Sequence, residues 1–193
     1  MYQIVKQTVV FSWDFNQVLN DTVLNDIVLC NKIIFNDYDD LDICLTANNQ
    51  YGNEYYLLSN KHFNKYKLSR FNQRIDNLPS SITDLTLGFY FNQNIDNLPH
   101  GIRDLTLGSN FNQRLDNLPS SIINLTFGQN FNQSIENLPH SINKIIFKSY
   151  YDIEFNQEIK KIPLNLTLVD ISEIPNRTHL KKLFEKFNIE IIE

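Results

Sequence analysis

The chain has 193 residues, enough for one domain or one elongated array with a buried core. Hydrophobic residues make up 42% of it and charged residues 20%, a composition typical of a soluble folded protein. The formal net charge of −5 argues against nucleic acid or an anionic membrane as the main partner, and no apolar run approaches the roughly 18 residues that span a bilayer.

The amino-terminal stretch MYQIVKQTVVFSWDF lacks the basic region, apolar region and small-residue cleavage site of a secretory signal. Cys30 and Cys44 are the only cysteines, which fits reduced intracellular thiols better than a disulfide framework. We therefore expect an intracellular, cytoplasmic protein that is not secreted.

Residues 1–70 are expected to contain degenerate copies of a repeat that becomes regular further along the chain, together with an amino-terminal cap. The stretch VVFSWDFNQVL from Val9 matches the strand-to-Phe junction of the later copies, and KIIFNDYDD from Lys32 echoes KIIFKSYYD from Lys144. The stretch from Leu41 to Arg70 is the hardest to assign, with Phe63-Asn64-Lys65 as a candidate worn copy.

Residues 71–172 contain a repeat with a period of 20 residues. FNQRIDNLPSSITDLTLG begins at Phe71 and recurs from residues 91, 111 and 131, and a degenerate copy from Phe155 follows an insertion around residues 150–153. Leu85 and Leu87 are two apart, which puts both on one face of a strand. One coil of this length cannot bury enough apolar surface to offset the cost of ordering it, whereas stacked coils can, so the repeat predicts a solenoid.

Stacking assigns structural roles to several repeated positions. The aromatic and amide positions are predicted to form a structural ladder in which each amide satisfies a buried turn backbone group or the neighbouring amide. Gly88, Gly108 and Gly128 follow the strand, where either a positive φ or a close backbone approach is expected. The ladder consists of Phe71, Asn72, Phe91, Asn92, Phe111, Asn112, Phe131 and Asn132.

Residues 173–193 are predicted to form a carboxyl-terminal capping helix and strand. Leu180, Leu183, Phe184 and Phe187 have the spacing of an amphipathic helix. Asn176 or Thr178 is the candidate cap at its start. Ile189 and Ile191 alternate with Glu190, which favours a short final strand.

The sequence contains no catalytic or metal-ligating constellation: no Cys/His cluster with zinc spacing, no glycine-rich phosphate loop and no Gly-x-Ser-x-Gly elbow. We therefore predict that the protein is not an enzyme and needs no metal or cofactor. The histidines are interpreted as surface loop residues; they are His62, His100, His140 and His179.

The period also stacks an acidic column, whose like charges require compensation. Arg74 and Arg114, turn amides or a bound cation could supply it, and bonds to the column's own turn backbone are the favoured explanation. The column consists of Asp76, Asp96, Asp116 and Glu136.

The block Phe-Asn-Gln-x-Ile/Leu-Asp-Asn-Leu-Pro-x-x-Ile-x-x-Leu-Thr-Leu/Phe-Gly closely resembles the FNIP repeat, a relative of the leucine-rich repeat found mainly in social amoebae and giant viruses of amoebae. The resemblance implies a leucine-rich-repeat-like solenoid, mostly strand and loop, with short parallel strands in a curved sheet. Viral members often carry an F-box before the repeats, but the first 60 residues here show repeat-like strands and no Leu-Pro-led helical segment.

Leucine-rich-repeat-like proteins usually carry ligands on the side of the strands turned away from the core, and we call this side the strand face. A contact surface and simple surface drift both fit its variation along the array. The leading hypothesis is a monomeric, non-enzymatic scaffold that binds another protein through this face; the alternative is a substrate-recognition adaptor for a ubiquitin ligase, acting with a separate F-box partner. The strand face consists of Asp84, Thr86, Asp104, Thr106, Asn124, Thr126, Lys144 and Ile146.

Overall fold

A computed structural model describes residues 2–11, 14–35, 69–149, 153 and 155–193. Within this part of the chain, nine strands form one sheet whose spatial order follows the order of the sequence. The strands are β1 (Tyr2–Val5), β2 (Thr8–Phe11), β3 (Lys32–Phe35), β4 (Asp84–Thr86), β5 (Asp104–Thr106), β6 (Asn124–Phe127), β7 (Lys144–Phe147), β8 (Leu168–Asp170) and β9 (Glu190–Ile192). The described residues also form two helices, α1 (Asp21–Ile27) and α2 (Thr178–Phe184).

All neighbouring strands from β2 to β9 pair in parallel, whereas β1 pairs antiparallel with β2 through a two-residue turn. Lys6 and Gln7 in that turn have φ values of 49° and 67°, as a tight hairpin turn requires. This arrangement confirms the predicted leucine-rich-repeat-like solenoid with parallel strands and a carboxyl-terminal helix.

The 20-residue period appears in the structure as exact strand register. Asp84 lies opposite Asp104, which in turn lies opposite Asn124. Because side chains alternate along a strand, the intervening Leu85 and Leu105 both point into the core, where each is 1% exposed. A change of period by one residue would move these leucines to the opposite face of the sheet.

The two upstream copies also form coils of the solenoid. β3 pairs directly with β4, and the Phe15 ring stacks on Phe71 with a centroid distance of 5.8 Å. The candidate copy at Phe63-Asn64-Lys65 lies outside the described residues, as does Cys44.

The distances between the stacked ladder phenylalanines show that successive coils are farther apart on this side than at the strands. The ring centroids of Phe71 and Phe91 are 6.0 Å apart, and those of Phe91 and Phe111 are 6.3 Å apart with nearly parallel planes. Paired strands of a sheet are only about 4.8 Å apart. Since equivalent points of successive coils are farther apart at the phenylalanines than at the strands, the array curves with the strand face on its concave side.

Glycine follows the strand in three successive coils because neighbouring coils approach closely there. Of the two predicted explanations, close approach is therefore correct and a positive φ is not. Gly88, Gly108 and Gly128 do not have positive φ values. A Cβ atom at Gly108 would lie 1.9 Å from the carbonyl oxygen of Gly88, and one at Gly128 would lie 2.5 Å from that of Gly108. A side chain at Gly108 or Gly128 would therefore overlap the backbone of the preceding coil.

The carboxyl-terminal end is covered by α2 and β9. Leu180 and Phe184 are buried, and the Phe184 ring lies 6.0 Å from that of Phe147. The predicted caps Asn176 and Thr178 are wrong: the cap position is Arg177, which makes no side-chain capping bond. Its backbone is already helical, and a guanidinium has no acceptor to offer the first helical N–H groups.

Neither helix of the described segments is long and apolar enough to cross a membrane.

Candidate interaction surface and the ladders that position it

Each ladder asparagine holds the next coil through two hydrogen bonds to its side-chain oxygen. Asn92 Oδ1 accepts one from the backbone N–H of Asn112 at 2.9 Å and one from Nε2 of Gln113 at 3.1 Å. The same pair of bonds recurs along the array, with acceptors at Asn16, Asn72, Asn92, Asn112 and Asn132.

This geometry refines the predicted ladder in two respects. The asparagines are half-buried or exposed rather than buried, and their partner in the next coil is a glutamine side chain together with a backbone N–H. The role of the glutamine was not predicted from the sequence, although the Phe-Asn-Gln order recurs unchanged in the four regular copies. An acceptor shared by two donors explains why both amides must recur together.

The acidic column is compensated mainly by other side chains and by the next coil, so the predicted bonds to its own turn backbone are wrong. Asp76 accepts hydrogen bonds from Arg74 Nε at 2.6 Å and from Asn97 Nδ2 of the next coil at 3.2 Å. The backbone N–H of Lys160 donates to Glu136 at 3.0 Å. The donor for a carboxylate of one coil can belong to the next coil, so the linear sequence does not show which residues pair.

Asp96 and Asp116 follow the same pattern with amide partners. Asn94 Nδ2 donates to Asp96 at 2.7 Å, and Asn137 Nδ2 of the next coil donates to Asp116 at 2.8 Å. Among the residues that the structure describes, no group of three or more His, Cys, Asp or Glu side chains could hold a metal ion.

The pKa of Asp76 should depend on Arg74. The guanidinium hydrogen bond, aided by Asn97, holds the pKa of the Asp76 carboxyl below its ordinary value. A depressed folded-state pKa contributes stability above the unfolded value, and this contribution is lost as the pH falls through the folded value. In a carboxyl-carbon NMR titration we expect Arg74→Gln to move the Asp76 midpoint upward; an unchanged midpoint would contradict the pairing.

The described histidines do not converge on one another. His100, His140 and His179 are all exposed, and His140 Nδ1 accepts a hydrogen bond from the backbone N–H of Leu164 at 3.3 Å. His62 lies outside the described residues.

The structure brings the eight strand-face residues together as two columns on the side of the sheet opposite the core. One column runs through Asp84, Asp104, Asn124 and Lys144, and the other runs from Thr86 to Ile146. All are half-buried except Thr126, which is only 7% exposed. The concave curvature and this partial burial make the face a shallow trough rather than an open plane.

The charges on the strand face are partly satisfied within the molecule. The Thr83 hydroxyl donates to Asp84 at 2.6 Å, and Asn124 Nδ2 donates to Asp104 at 2.6 Å. Lys144 Nζ lies 3.4 Å from Asp170, a partner that sequence analysis did not identify because it belongs to the degenerate copy. Burial raises the pKa of Asp170, but hydrogen bonds from Ser172 and Lys144 outweigh it and leave the pKa below its ordinary value.

The amino-terminal part of the same face is already covered. Val10 and Ile34 point to the strand-face side, yet they are 1% and 4% exposed and lie outside the core cluster. Farther along the face lies a threonine column. The hydroxyls of Thr86, Thr106 and Thr126 make no hydrogen bond to any of the described residues. The accessible part of the face therefore begins at β4 and continues to β9, where Glu190 and Ile192 are exposed.

A family model described as FNIP Repeat matches residues 71–110 and 111–150. A structural match is the crystal structure of CroV588, described as a novel circular LRR protein structure; it is 23% identical, with a TM-score of 0.41 over 95% of this chain. The match covers 33% of that protein, so the chain spans about a third of its length. No curated protein matches the sequence. Residues 71–150 therefore consist of tandem FNIP repeats, and each copy forms one coil of a leucine-rich-repeat-like, parallel-strand solenoid.

Proposed function

We propose that the protein is a non-enzymatic scaffold that binds another protein through the strand face over β4 to β8. The observation that carries this proposal is a regular, concave and half-buried face whose threonine column has no hydrogen-bond partner among the described residues. The repeat positions that build the coil are occupied by ladder and core contacts, whereas one strand-face column, Asp84, Asp104, Asn124 and Lys144, changes along the array.

The curvature supports this role because a concave surface can contact a partner from several coils at once. Solenoids use such extended concave surfaces for binding. The Asn-Gln ladder and the glycine column hold the coils in fixed register, so the strand-face side chains stand on a rigid frame. A rigid frame reduces the ordering cost that a partner must overcome on binding.

Thr106→Arg should remove partners that use this face. The Thr106 side chain is half-buried, points to the strand face and makes no bond that the substitution would break, so a long charged group there blocks the trough by its bulk. Ser120→Arg, on an exposed loop of the next coil, is the matched control. Affinity capture from source-cell lysate should lose specific proteins with Thr106→Arg and keep them with Ser120→Arg. Identical protein lists for both variants and the wild type would contradict the proposal, provided that circular dichroism shows each variant folded.

A further inference from the structure

The strand face contains a like-charge pair. Asp84 and Asp104 lie opposite each other in adjacent parallel strands, and side chains at such positions are direct neighbours. Like charges placed directly opposite in a sheet are destabilising. A positive charge between the two carboxylates would relieve this repulsion.

Neighbouring side chains neutralise the pair only in part. Lys32 Nζ lies 4.0 Å from Asp84 Oδ1, at the outer limit of an ion pair, and the Thr83 hydroxyl occupies Asp84 Oδ2. At Asp104 the partner is the neutral amide of Asn124 on Oδ1, and Oδ2 accepts no hydrogen bond from the described residues. Acceptor capacity therefore remains on the accessible side of the pair.

A second, independent feature lies beside these carboxylates. Thr126 is only 7% exposed, its side chain points to the strand face, and its hydroxyl bonds to no described residue. Thr86 and Thr106, in the same column, are half-buried and also lack a side-chain partner in the described segments. These hydroxyls are not among the fully buried oxygens that lack a partner, so they remain accessible and can donate to and accept from a ligand that lies on this face.

We propose that the strand face binds a basic segment of a partner protein, with a cationic side chain placed between Asp84 and Asp104 and polar groups of the segment bonded to the threonine column. This inference rests on the proposed function and specifies the chemistry of the partner. An arginine fits best, because its planar guanidinium offers five N–H donors and can bond both carboxylates at once. A metal ion fits less well, since the described residues supply only two carboxylates at this point.

The test is a selection of short random peptides, displayed on phage, against the purified chain. We expect the selected peptides to be enriched in arginine and lysine, and the tightest of them, made synthetically, to bind Asp84→Asn/Asp104→Asn about tenfold more weakly or worse. The asparagines keep the shape and the hydrogen bonds from Thr83 and Asn124. The control Asp76→Asn/Asp96→Asn removes two charges from the same two repeats but away from the strand face, and it should bind within about twofold of the wild type.

Substituting citrulline for the arginine of the peptide should abolish the difference between wild type and Asp84→Asn/Asp104→Asn. Equal losses in the two double variants would show a general attraction to an acidic chain and would overturn the inference. Selected peptides without cationic enrichment that still fail to bind Thr106→Arg would overturn it as well, while leaving the proposed function in place. Peptides whose binding is unaffected by Thr106→Arg would contradict both. Thermal unfolding of every variant separates these outcomes from loss of the fold.

Discussion

Gly108→Ala should be among the most damaging single substitutions in the array. The new Cβ would lie 1.9 Å from the carbonyl oxygen of Gly88 and 2.6 Å from its carbonyl carbon. Backbone atoms cannot rotate away as a side chain can, so the two coils must separate. Separation would strain the β4–β5 pairing and the bonds of Asn72 to the next coil. We expect a loss of about 3 kcal/mol or more, and a fall in Tm of roughly 6–12 °C for a chain of this size.

The matched control is Ser109→Ala at the adjacent position. Ser109 is half-buried and contributes only its backbone carbonyl, which accepts a hydrogen bond from Asn130 N at 2.9 Å. Its substitution should change Tm by no more than about 2 °C. If Gly108→Ala melted together with this control in circular dichroism, the close approach of the two coils would be wrong.

Asn112→Ala is expected to have the second largest effect. The change removes the oxygen that accepts from Asn132 N at 2.9 Å and from Gln133 Nε2 at 3.0 Å, and it leaves two half-buried donors without that acceptor. An unsatisfied polar group of this kind costs about 1–3 kcal/mol. Chemical denaturation should therefore show a lower midpoint, with the loss spread over the coils on both sides because each coil supports its neighbour.

Three further variants separate this ladder effect from the general loss of an amide. Asn117→Ala makes the same chemical change in the same repeat, but Asn117 is exposed and its side chain bonds to no described residue. It should behave like an ordinary surface substitution, as should Gln129→Ala. Asn112→Asp keeps an acceptor oxygen for both donors, so its midpoint should lie closer to the wild type than that of Asn112→Ala. Equal midpoints for Asn112→Ala and Asn117→Ala would remove the ladder argument.

The frame and the interaction surface have different physical requirements in this protein. The ladder positions of the frame need the same residue in successive coils, because each contacts its own copy or that copy's neighbour: phenylalanine packs on phenylalanine, and asparagine accepts from the next Asn-Gln pair. The strand face has no such requirement, since its side chains point away from the core. Functional variation can therefore accumulate on the strand face without loss of the fold.

Most of the fold was predictable from periodicity. The recurrence of FNQ and of the Leu-x-Leu pair predicts stacked coils, and the weak copies at Val9 and Lys32 predict β2 and β3. The amphipathic spacing from Leu180 to Phe187 predicts α2. The helix cap was not predictable, because the sequence offers side-chain acceptors at Asn176 and Thr178, whereas the backbone dihedral angles place the boundary at Arg177 between them.

Other features depended on contacts between coils. The partners of the acidic column come largely from the next coil, about 20 residues away in sequence, and no local pattern assigns them. The choice of close approach over positive φ at the glycines also required the distance between two backbones. Lys144 pairs with Asp170 diagonally across two strands, because Asp170 lies opposite Ile146 and not opposite Lys144.

The sequence by itself determined that this chain is a stack of coils and which positions build the stack, because a strict period forces like residues onto one another wherever strands pair in register. Only the tertiary structure decided which donor meets which acceptor across coils, how the array curves, and which part of the strand face remains accessible. Those properties depend on distances between residues that are remote in sequence. The curvature, for example, results from a small difference in coil spacing between the strands and the phenylalanines, which adds up only when the coils are stacked.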